Sequence, residues 1–245
     1  MINYVEVKRD QYILRGLHTK AENEKALVVM FHGFIGHLNE NGFFFKKLAS
    51  EFAKCGISSI RFDFMGNGMS DGELKDMTFK TECDDARAII RYCLEHYNTK
   101  LYALGFSFGG AVLGYVAKDF KDELAKIVLA SPAGNMNLIG EDFKNLPPER
   151  WYDEENIDMG GYLISKKFID SFEGVDLYAN IAAFKHPVLI VHGELDKSVP
   201  IEYGHRYEKL LDDVKFVTIK ESSHCYTTMK HRAIVNQAII EFLTK

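Results

Sequence analysis

Short apolar runs alternate with longer stretches of helical periodicity along most of the chain. The apolar runs have the length of strands covered on both faces and occupy residues 26–31, 57–62, 101–104, 127–130, 188–191 and 215–219. Apolar residues three or four positions apart predict helices over residues 43–55, 78–97, 111–116, 201–211 and 230–243. Residues 5–17 are expected to form a hairpin with its turn at Lys8, Arg9 and Asp10. This alternation predicts an α/β fold with a mostly parallel sheet of about eight strands flanked by helices.

The alternation stops after residue 131, where prolines, glycines, acidic residues and aromatic residues become frequent. About fifty residues then separate two strands of the sheet, and a structureless connection of that length is unusual within one domain. We therefore predict a single domain over residues 1–245 with a small cap inserted at residues 133–184, whose clearest helix is residues 164–172. The alternative is a surface excursion with no catalytic role.

Composition and charge narrow the classes of partner. The net charge of −5 and the absence of a basic run argue against a nucleic-acid partner. The apolar runs are much shorter than a membrane-spanning helix, and residues 1–5 lack the features of a signal peptide, so we expect a cytoplasmic protein without a membrane partner. The four cysteines show no C-x-x-C spacing, which favours reduced thiols and gives no sign of a zinc site.

A G-x-S-x-G sequence lies between a predicted strand and a predicted helix. It runs from Gly105 to Gly109 and places Ser107 at its centre. A sharp strand-to-helix turn of this kind projects a serine hydroxyl out of the sheet, and its glycines allow neighbouring backbones to approach closely. The pattern therefore predicts a nucleophilic serine. The alternative is a glycine-rich turn with an idle serine.

A serine nucleophile needs a base within hydrogen-bond reach and an acid that orients the base. Asp196 and His224 each lie five residues beyond a predicted strand, and the chain order Ser107, Asp196, His224 is the order used on such a strand-and-helix fold, distinct from that of other serine hydrolases. These three residues are the predicted catalytic triad. Separately, Asp196 could be a turn aspartate and His224 a structural loop histidine. Asp63 is a rival acid, but we expect it to hold its own turn by hydrogen bonds to the backbone.

The tetrahedral intermediate of such a reaction needs hydrogen-bond donors for its oxyanion. The backbone amide of Phe108, directly after the serine, is one predicted donor, and the amide of Phe34 in the loop after a buried strand is the other. Phe34 and Phe108 could instead act as pocket walls, or Phe34 as a plain core residue. His32 and His192 precede glycines at strand ends and are interpreted as structural or pocket-lining residues.

These motifs make the chain similar to the α/β-hydrolases over its whole length, and it more narrowly resembles the bacterial cinnamoyl (feruloyl) esterases. The resemblance implies a Ser-His-Asp triad at Ser107, His224 and Asp196, and a small cap that covers a phenolic acid. The stretches that carry it are Phe31-His32-Gly33-Phe34, Arg61-Phe62-Asp63-Phe64 with Gly66, Gly68 and Ser70-Asp71-Gly72, then Met159-Gly160-Gly161-Tyr162, and Ser223-His224-Cys225-Tyr226.

The resemblance also sets the expected activity and substrate. It implies a serine carboxylesterase that hydrolyses hydroxycinnamate esters through an acyl-enzyme, with a small-molecule ester as its substrate, no metal or cofactor, and a homodimer as a possible assembly. Members of that family usually carry His before and Gln after the nucleophile, whereas Phe106 and Phe108 stand here. Polarity and position in the chain suggest Asp142, Glu141 and Tyr152 as substrate-binding residues, and His32, as a pocket-lining residue, is a further candidate.

Other functions use the same residues. A short-chain acyl, monoacylglycerol or thioester hydrolase would have an identical triad. A dehalogenase or an epoxide hydrolase would carry aspartate where Ser107 stands. The alternative from a different class is a non-catalytic ligand-binding protein, because a fold alone does not determine function. Such proteins commonly lose part of the catalytic set, and all three members are present here.

Overall fold

The computed structural model describes residues 1–134 and 145–245 of the chain. Within these residues, eight strands form one sheet in the order β1-β2-β4-β3-β5-β6-β9-β10, and β7 pairs with β8 in a separate hairpin. The strands are β1 (Ile2–Arg9), β2 (Tyr12–Thr19), β3 (Ala26–Phe31), β4 (Ile57–Phe62), β5 (Lys100–Phe106), β6 (Leu124–Ala130), β7 (Asn156–Asp158), β8 (Leu163–Ser165), β9 (Val188–Gly193) and β10 (Val214–Ile219). The strands from β4 to β10 in this order pair in parallel, and β2 joins β1 and β4 in antiparallel fashion. This sheet confirms the predicted α/β fold.

Helices cover both faces of the sheet, which explains why the central strands read as continuous apolar runs. Alternate residues of β3 enter two separate cores: Val29 packs with the helices on one face, and Val28 packs with those on the other. The helices are α1 (Phe44–Lys54), α2 (Phe79–His96), α3 (Phe108–Val116), α4 (Lys166–Asp170), α5 (Ile201–Glu208) and α6 (Met229–Thr244). Helices α1 and α6 cover the face of Val28, whereas α2, α3 and α5 cover the face of Val29.

Two local predictions name the right element with the wrong bounds. The turn of the first hairpin begins at Asp10, which has a φ of 53°, whereas Lys8 and Arg9 belong to β1 and pair with β2. The helix expected at residues 164–172 is shorter, because Ile164 lies in the β7–β8 hairpin and Ser165 caps α4 by accepting a hydrogen bond from the amide of Lys167. A buried isoleucine fits either element, so periodicity alone favoured the helix.

The parallel strands bring distant parts of the chain to one edge of the sheet. The loop after β3, the turn after β5 and the loops after β9 and β10 all leave the carboxyl ends of neighbouring strands. Ligands bind at such edges in open α/β sheets. Ser107, Asp196 and His224 follow β5, β9 and β10 respectively, so the topology directs all three to this edge.

Candidate active site

Ser107 occupies a strained turn between β5 and α3. Its φ of 54° and ψ of −119° are uncommon for a residue with a side chain. The backbone is held there from both sides, because the Ser107 amide donates to the carbonyl of Ala130 at 2.8 Å and its carbonyl accepts from the amide of Ala133 at 3.0 Å. Strain of this kind persists only where the surrounding structure fixes it, and it is common at functional sites.

The two glycines of the G-x-S-x-G sequence are required by close backbone contacts. A Cβ atom on Gly105 would lie 2.3 Å from the carbonyl oxygen of Gly109, and one on Gly109 would lie 2.3 Å from the carbonyl oxygen of His32. Both oxygens belong to the backbone, so neither can move away as the end of a flexible side chain would. The turn that projects Ser107 therefore depends on glycine at both positions.

Ser107, His224 and Asp196 form a continuous chain of hydrogen bonds. His224 Nε2 lies 2.8 Å from Ser107 Oγ, and His224 Nδ1 lies 2.7 Å from Asp196 Oδ2. A carboxylate can only accept, so Nδ1 carries the imidazole proton and Nε2 is free to accept the proton of the Ser107 hydroxyl. This is the arrangement that a serine nucleophile and its base require.

Asp196 is buried but richly hydrogen-bonded. Its Oδ1 accepts from the amides of Ser198 at 3.0 Å and Val199 at 2.8 Å, while His192 Nε2 lies 3.4 Å from its Oδ2. Burial alone would raise the pKa of Asp196, but the hydrogen bonds from His192, His224 and Val199 outweigh it and hold the pKa below its ordinary value. Asp196 is therefore ionised at neutral pH and able to orient the imidazole of His224.

The loop after β3 lies directly against Ser107. A Cβ atom on Gly33 would be 3.2 Å from the Cβ atom of Ser107. Within residues 1–134 and 145–245, the amides of Phe34 and Phe108 donate to no acceptor, and Phe108 is the first residue of α3, where helical amides lack partners. Both predicted oxyanion donors thus belong to segments next to the serine and have amides available for a ligand.

A cavity of about 590 Å³ opens beside Ser107. Its aromatic lining includes Phe34, Phe43 and Phe106, and the ring centroid of Phe106 lies 5.1 Å from that of the His224 imidazole. The remaining lining comes from Ser107 itself, from the loop after β3 and from the loops that carry the other two triad residues: Gly33, Ile35, Gly36, His37, Glu40, Asn41, Gly42, Ser198, Val199, His224 and Cys225.

His32, suggested as a substrate-binding residue, bonds to the protein backbone instead. Its ring is buried, with Nδ1 2.8 Å from the carbonyl oxygen of Gly33 and Nε2 accepting from the amide of Phe64 at 3.0 Å. Both nitrogens are used within the protein, which corrects that suggestion and agrees with the structural interpretation. His192 is likewise buried, with Nε2 2.8 Å from the carbonyl oxygen of Val199.

The other suggested substrate residues do not line the cavity or lie outside the described structure. Tyr152 is 69% exposed and is absent from the cavity lining, so the structure does not place it against a ligand beside Ser107. Asp142 and Glu141 lie outside the described residues. Asp63 holds loops, as expected: Oδ2 accepts from the amide of Met69 at 2.9 Å, and Oδ1 accepts from the amide of Leu38 at 2.6 Å.

Three residues that support the site were missed from the sequence. Glu40 lines the cavity and bonds the loop after β3, Arg232 bonds carbonyl groups on both sides of the cavity, and Tyr226 donates to the carbonyl of Val191 at 3.1 Å. Glu40 and Arg232 act through backbone groups, which no sequence pattern reveals. Tyr226 lies within the Ser-His-Cys-aromatic stretch, and that proximity to His224 was the available signal.

No three His, Cys, Asp or Glu side chains converge as metal ligands in the part of the chain that the structure describes. The same residues contain no helix of sufficient length and hydrophobicity to cross a membrane.

Sequence comparison identifies related proteins over most of the chain. A profile of the family described as serine aminopeptidase, S33, matches residues 22–151, which is more than half of the chain, and a profile described as TAP-like protein matches residues 173–245. The AB hydrolase superfamily protein YisY of Bacillus subtilis is 25% identical over 80% of this chain and 84% of its own length. A monoacylglycerol lipase of Mycolicibacterium smegmatis is 21% identical over 77% of this chain and 76% of its own.

Solved structures share the fold. Est1E from Butyrivibrio proteoclasticus, solved with bound ferulic acid, superimposes with a TM-score of 0.86 at 24% identity, covering 98% of this chain and 97% of its own. Alpha/beta hydrolase domain-containing protein 10 from mouse gives a TM-score of 0.79 at 18% identity, with 98% of each chain covered. With the family profile, the eight-stranded sheet and the strained serine turn in agreement, the chain belongs to the serine aminopeptidase S33 family of the α/β-hydrolase superfamily.

Proposed function

We propose that this chain is a carboxylic ester hydrolase with Ser107 as its nucleophile. The observation that carries the proposal is the unbroken hydrogen-bond chain from Ser107 Oγ through His224 to Asp196, at 2.8 and 2.7 Å. His224 is the base, Asp196 orients it, and the amides of Phe34 and Phe108 are the oxyanion donors. Ser107, His224 and Phe34 line one cavity, Asp196 bonds His224, and Phe108 directly follows Ser107 in the chain.

The reaction follows from the protonation states. Ser107 Oγ attacks the ester carbonyl carbon while its proton passes to His224 Nε2, and the carbonyl oxygen becomes an anion that the two amides stabilise. The C–O bond to the alcohol then breaks, and His224 gives the proton to the departing oxygen. Water attacks the acyl-enzyme with His224 again as base, which releases the carboxylic acid and restores the Ser107 hydroxyl.

Hydroxycinnamate esters are the proposed substrate class. The cavity beside Ser107 carries three phenyl rings, from Phe34, Phe43 and Phe106, and aromatic rings favour contact with the planar ring of a phenolic acid. Est1E, which shares the fold, binds ferulic acid. In the segment proposed as the cap, residues 133–184, Phe168 stacks on Phe34 with ring centroids 5.0 Å apart, so this segment contacts the loop after β3 directly.

Monoacylglycerols are the second candidate, supported by the relative from Mycolicibacterium smegmatis that is a monoacylglycerol lipase. Phe43, which lines the cavity and is 56% exposed, offers apolar surface to an aliphatic chain as well as to an aromatic ring. Both candidates use the same triad, so only the preference among esters separates them.

The test is a panel of kcat/KM values for methyl ferulate, methyl coumarate, a monoacylglycerol, 4-nitrophenyl butyrate and alanine 4-nitroanilide. Ser107→Ala is the matched inactive control. We expect the hydroxycinnamates to lead and the control to lose activity on every ester. If the monoacylglycerol has the highest kcat/KM, the proposed substrate class is replaced and the triad is retained. If the anilide has the highest kcat/KM, the chain is an aminopeptidase. No ester hydrolysis, or full activity in Ser107→Ala, would overturn the proposed function.

A further inference from the structure

Glu40 has an unusual backbone conformation for a residue with a side chain. Its φ of 57° and ψ of 168° fall close to a region that glycine occupies almost alone. Gly36 and Gly42 stand nearby in the same loop, yet the strained position itself carries glutamate. Such an outlier, beside a nucleophile, calls for a reason in the contacts of the side chain.

The carboxylate of Glu40 is buried and used entirely within the loop. The residue is 5% exposed, Oε1 accepts from the amide of Gly33 at 2.5 Å, and Oε2 accepts from the amide of Asn41 at 2.9 Å. Within the described residues, no cation lies within ion-pair distance of it. A buried carboxylate is costly unless hydrogen bonds satisfy it. Its bonds to backbone amides show that it organises this loop.

Gly33 is the residue that this carboxylate immobilises. Its amide donates to Glu40, while its carbonyl accepts from His32 Nδ1 at 2.8 Å and from the amide of Gly36 at 3.0 Å. The carbonyl of Gly33 and the amide of Phe34 belong to one planar peptide group, with the N–H opposite the C=O. Fixing Gly33 on both sides therefore fixes the direction of the Phe34 N–H.

We propose that Glu40 is a positioning residue that holds the Phe34 amide in place to receive the oxyanion. The inference rests on the proposed function, because it assigns a role within that reaction. Glycine has the greatest backbone freedom of any residue, so Gly33 without the Glu40 bond would sample other orientations. An error of about 1 Å in a catalytic group can lower the rate about 100-fold. Glu40 acts on Phe34 through Gly33 and need not touch the substrate.

The decisive variant is Glu40→Gly, because glycine accepts the strained conformation and removes only the side chain. We expect a folded protein whose kcat falls about 10- to 100-fold while KM stays within about threefold. The affinity for a trifluoromethyl ketone, which forms a tetrahedral adduct on the serine, should fall by the same factor as kcat/KM. The affinity for the carboxylic acid product should not change. Asp10→Gly, at the positive-φ turn of the first hairpin, is the matched control and should keep full activity.

Glu40→Gln provides a second measurement, because its amide oxygen can still accept from Gly33. Its loss of kcat should be smaller than that of Glu40→Gly and should match its loss of trifluoromethyl ketone affinity. The proposal is overturned if Glu40→Gly folds and keeps at least half of the wild-type kcat. It is also overturned if either variant loses product affinity as much as ketone affinity. A wild-type protein that hydrolyses no ester would instead overturn the proposed function, and this role with it.

Discussion

Arg232 Nη2 donates a hydrogen bond of 2.7 Å to the carbonyl oxygen of Asn41, although the two residues are 191 positions apart. The same guanidinium donates from Nε to the carbonyl of Tyr226 at 3.0 Å and from Nη2 to that of Cys225 at 3.0 Å. Arg232 therefore joins the loop that carries Glu40 to the loop that carries His224. Both loops line the cavity beside Ser107.

Replacing Arg232 should loosen both loops together. Arg232→Lys keeps the charge but lacks the planar fork of donors, so we expect a loss of about 1–3 kcal/mol in unfolding free energy and about a 10-fold loss of kcat. Urea denaturation and ester kinetics measure the two quantities. Arg91→Lys, on the exposed side of α2, is the matched control. Unchanged kcat in a destabilised Arg232→Lys protein would contradict a link between these loops and catalysis.

Asp196→Asn should remove most of the activity and leave the fold intact. An amide at this position can donate to His224 Nδ1, which favours the imidazole tautomer with its proton on Nε2, where it cannot accept from Ser107. In serine proteases the equivalent change lowers kcat about 10⁴-fold. Steady-state kinetics check this value, and circular dichroism checks the fold. Activity within about 10-fold of wild type would exclude Asp196 as the orienting acid.

A glycine in close backbone contact and a glycine at a positive φ in open space should respond differently to replacement by alanine. Gly109→Ala places a Cβ atom 2.3 Å from a carbonyl oxygen, so we expect the unfolding free energy to fall by about 3 kcal/mol or more and the activity to be lost. Gly160 has a φ of 75° but nothing within 4 Å of an added Cβ, so Gly160→Ala should cost about 1 kcal/mol and leave kcat unchanged. Thermal and urea unfolding distinguish them. Equal losses of unfolding free energy in the two variants would show that the close contact with the carbonyl oxygen is not the reason for glycine at Gly109.

Asp85 should make stability depend on pH. Burial raises the pKa of Asp85 from 3.8 to about 6, even though the amide of Met65 and the guanidinium of Arg9 both bond the carboxylate. Between these values the folded protein retains a proton that the unfolded chain has released, so stability falls as the pH rises towards 6. The contribution is fully present below about pH 4 and is lost above about pH 6.

The measurement is the difference in unfolding free energy between wild type and Asp85→Asn at several pH values. Wild type should lose about 3 kcal/mol relative to the variant between about pH 4 and pH 7. Burial also raises the pKa of Glu82 in both proteins, and the charge of Asp85 adds to that shift, so the difference includes the part of the Glu82 shift that depends on Asp85. A difference that stays constant over this range would mean that the pKa of Asp85 is not raised in the folded protein.

Hydrophobic pattern and motif spacing were enough to predict the sheet and to nominate the residues that meet at its edge. Ser107, Asp196 and His224 could be found because each side chain performs its own chemistry at a strand end, and strand ends can be located from apolar runs. The local errors arose where one pattern fits two elements. Ile164 is buried in a hairpin, although its spacing also fits a helix.

The supporting contacts could not be predicted, because they join side chains to backbone groups. Glu40 reaches the amide of Gly33 only because the loop folds back through a positive φ, and Arg232 reaches Asn41 only after α6 packs beside α1. Neither residue belongs to a motif. His32 shows the converse: its place in a motif suggested contact with substrate, whereas both of its ring nitrogens bond to backbone.

Strands β6 and β9 are direct neighbours in the sheet, although residues 131–187 lie between them in sequence. The intervening segment thus departs from and returns to adjacent positions, and none of Ser107, Asp196 and His224 lies within it. A lineage could lengthen or shorten this segment beyond Ala133, whose amide bonds the Ser107 carbonyl, without shifting the register of any strand that supports those three residues. Changes of length in this part of the chain can consequently accumulate while the sheet and the three side chains stay in place.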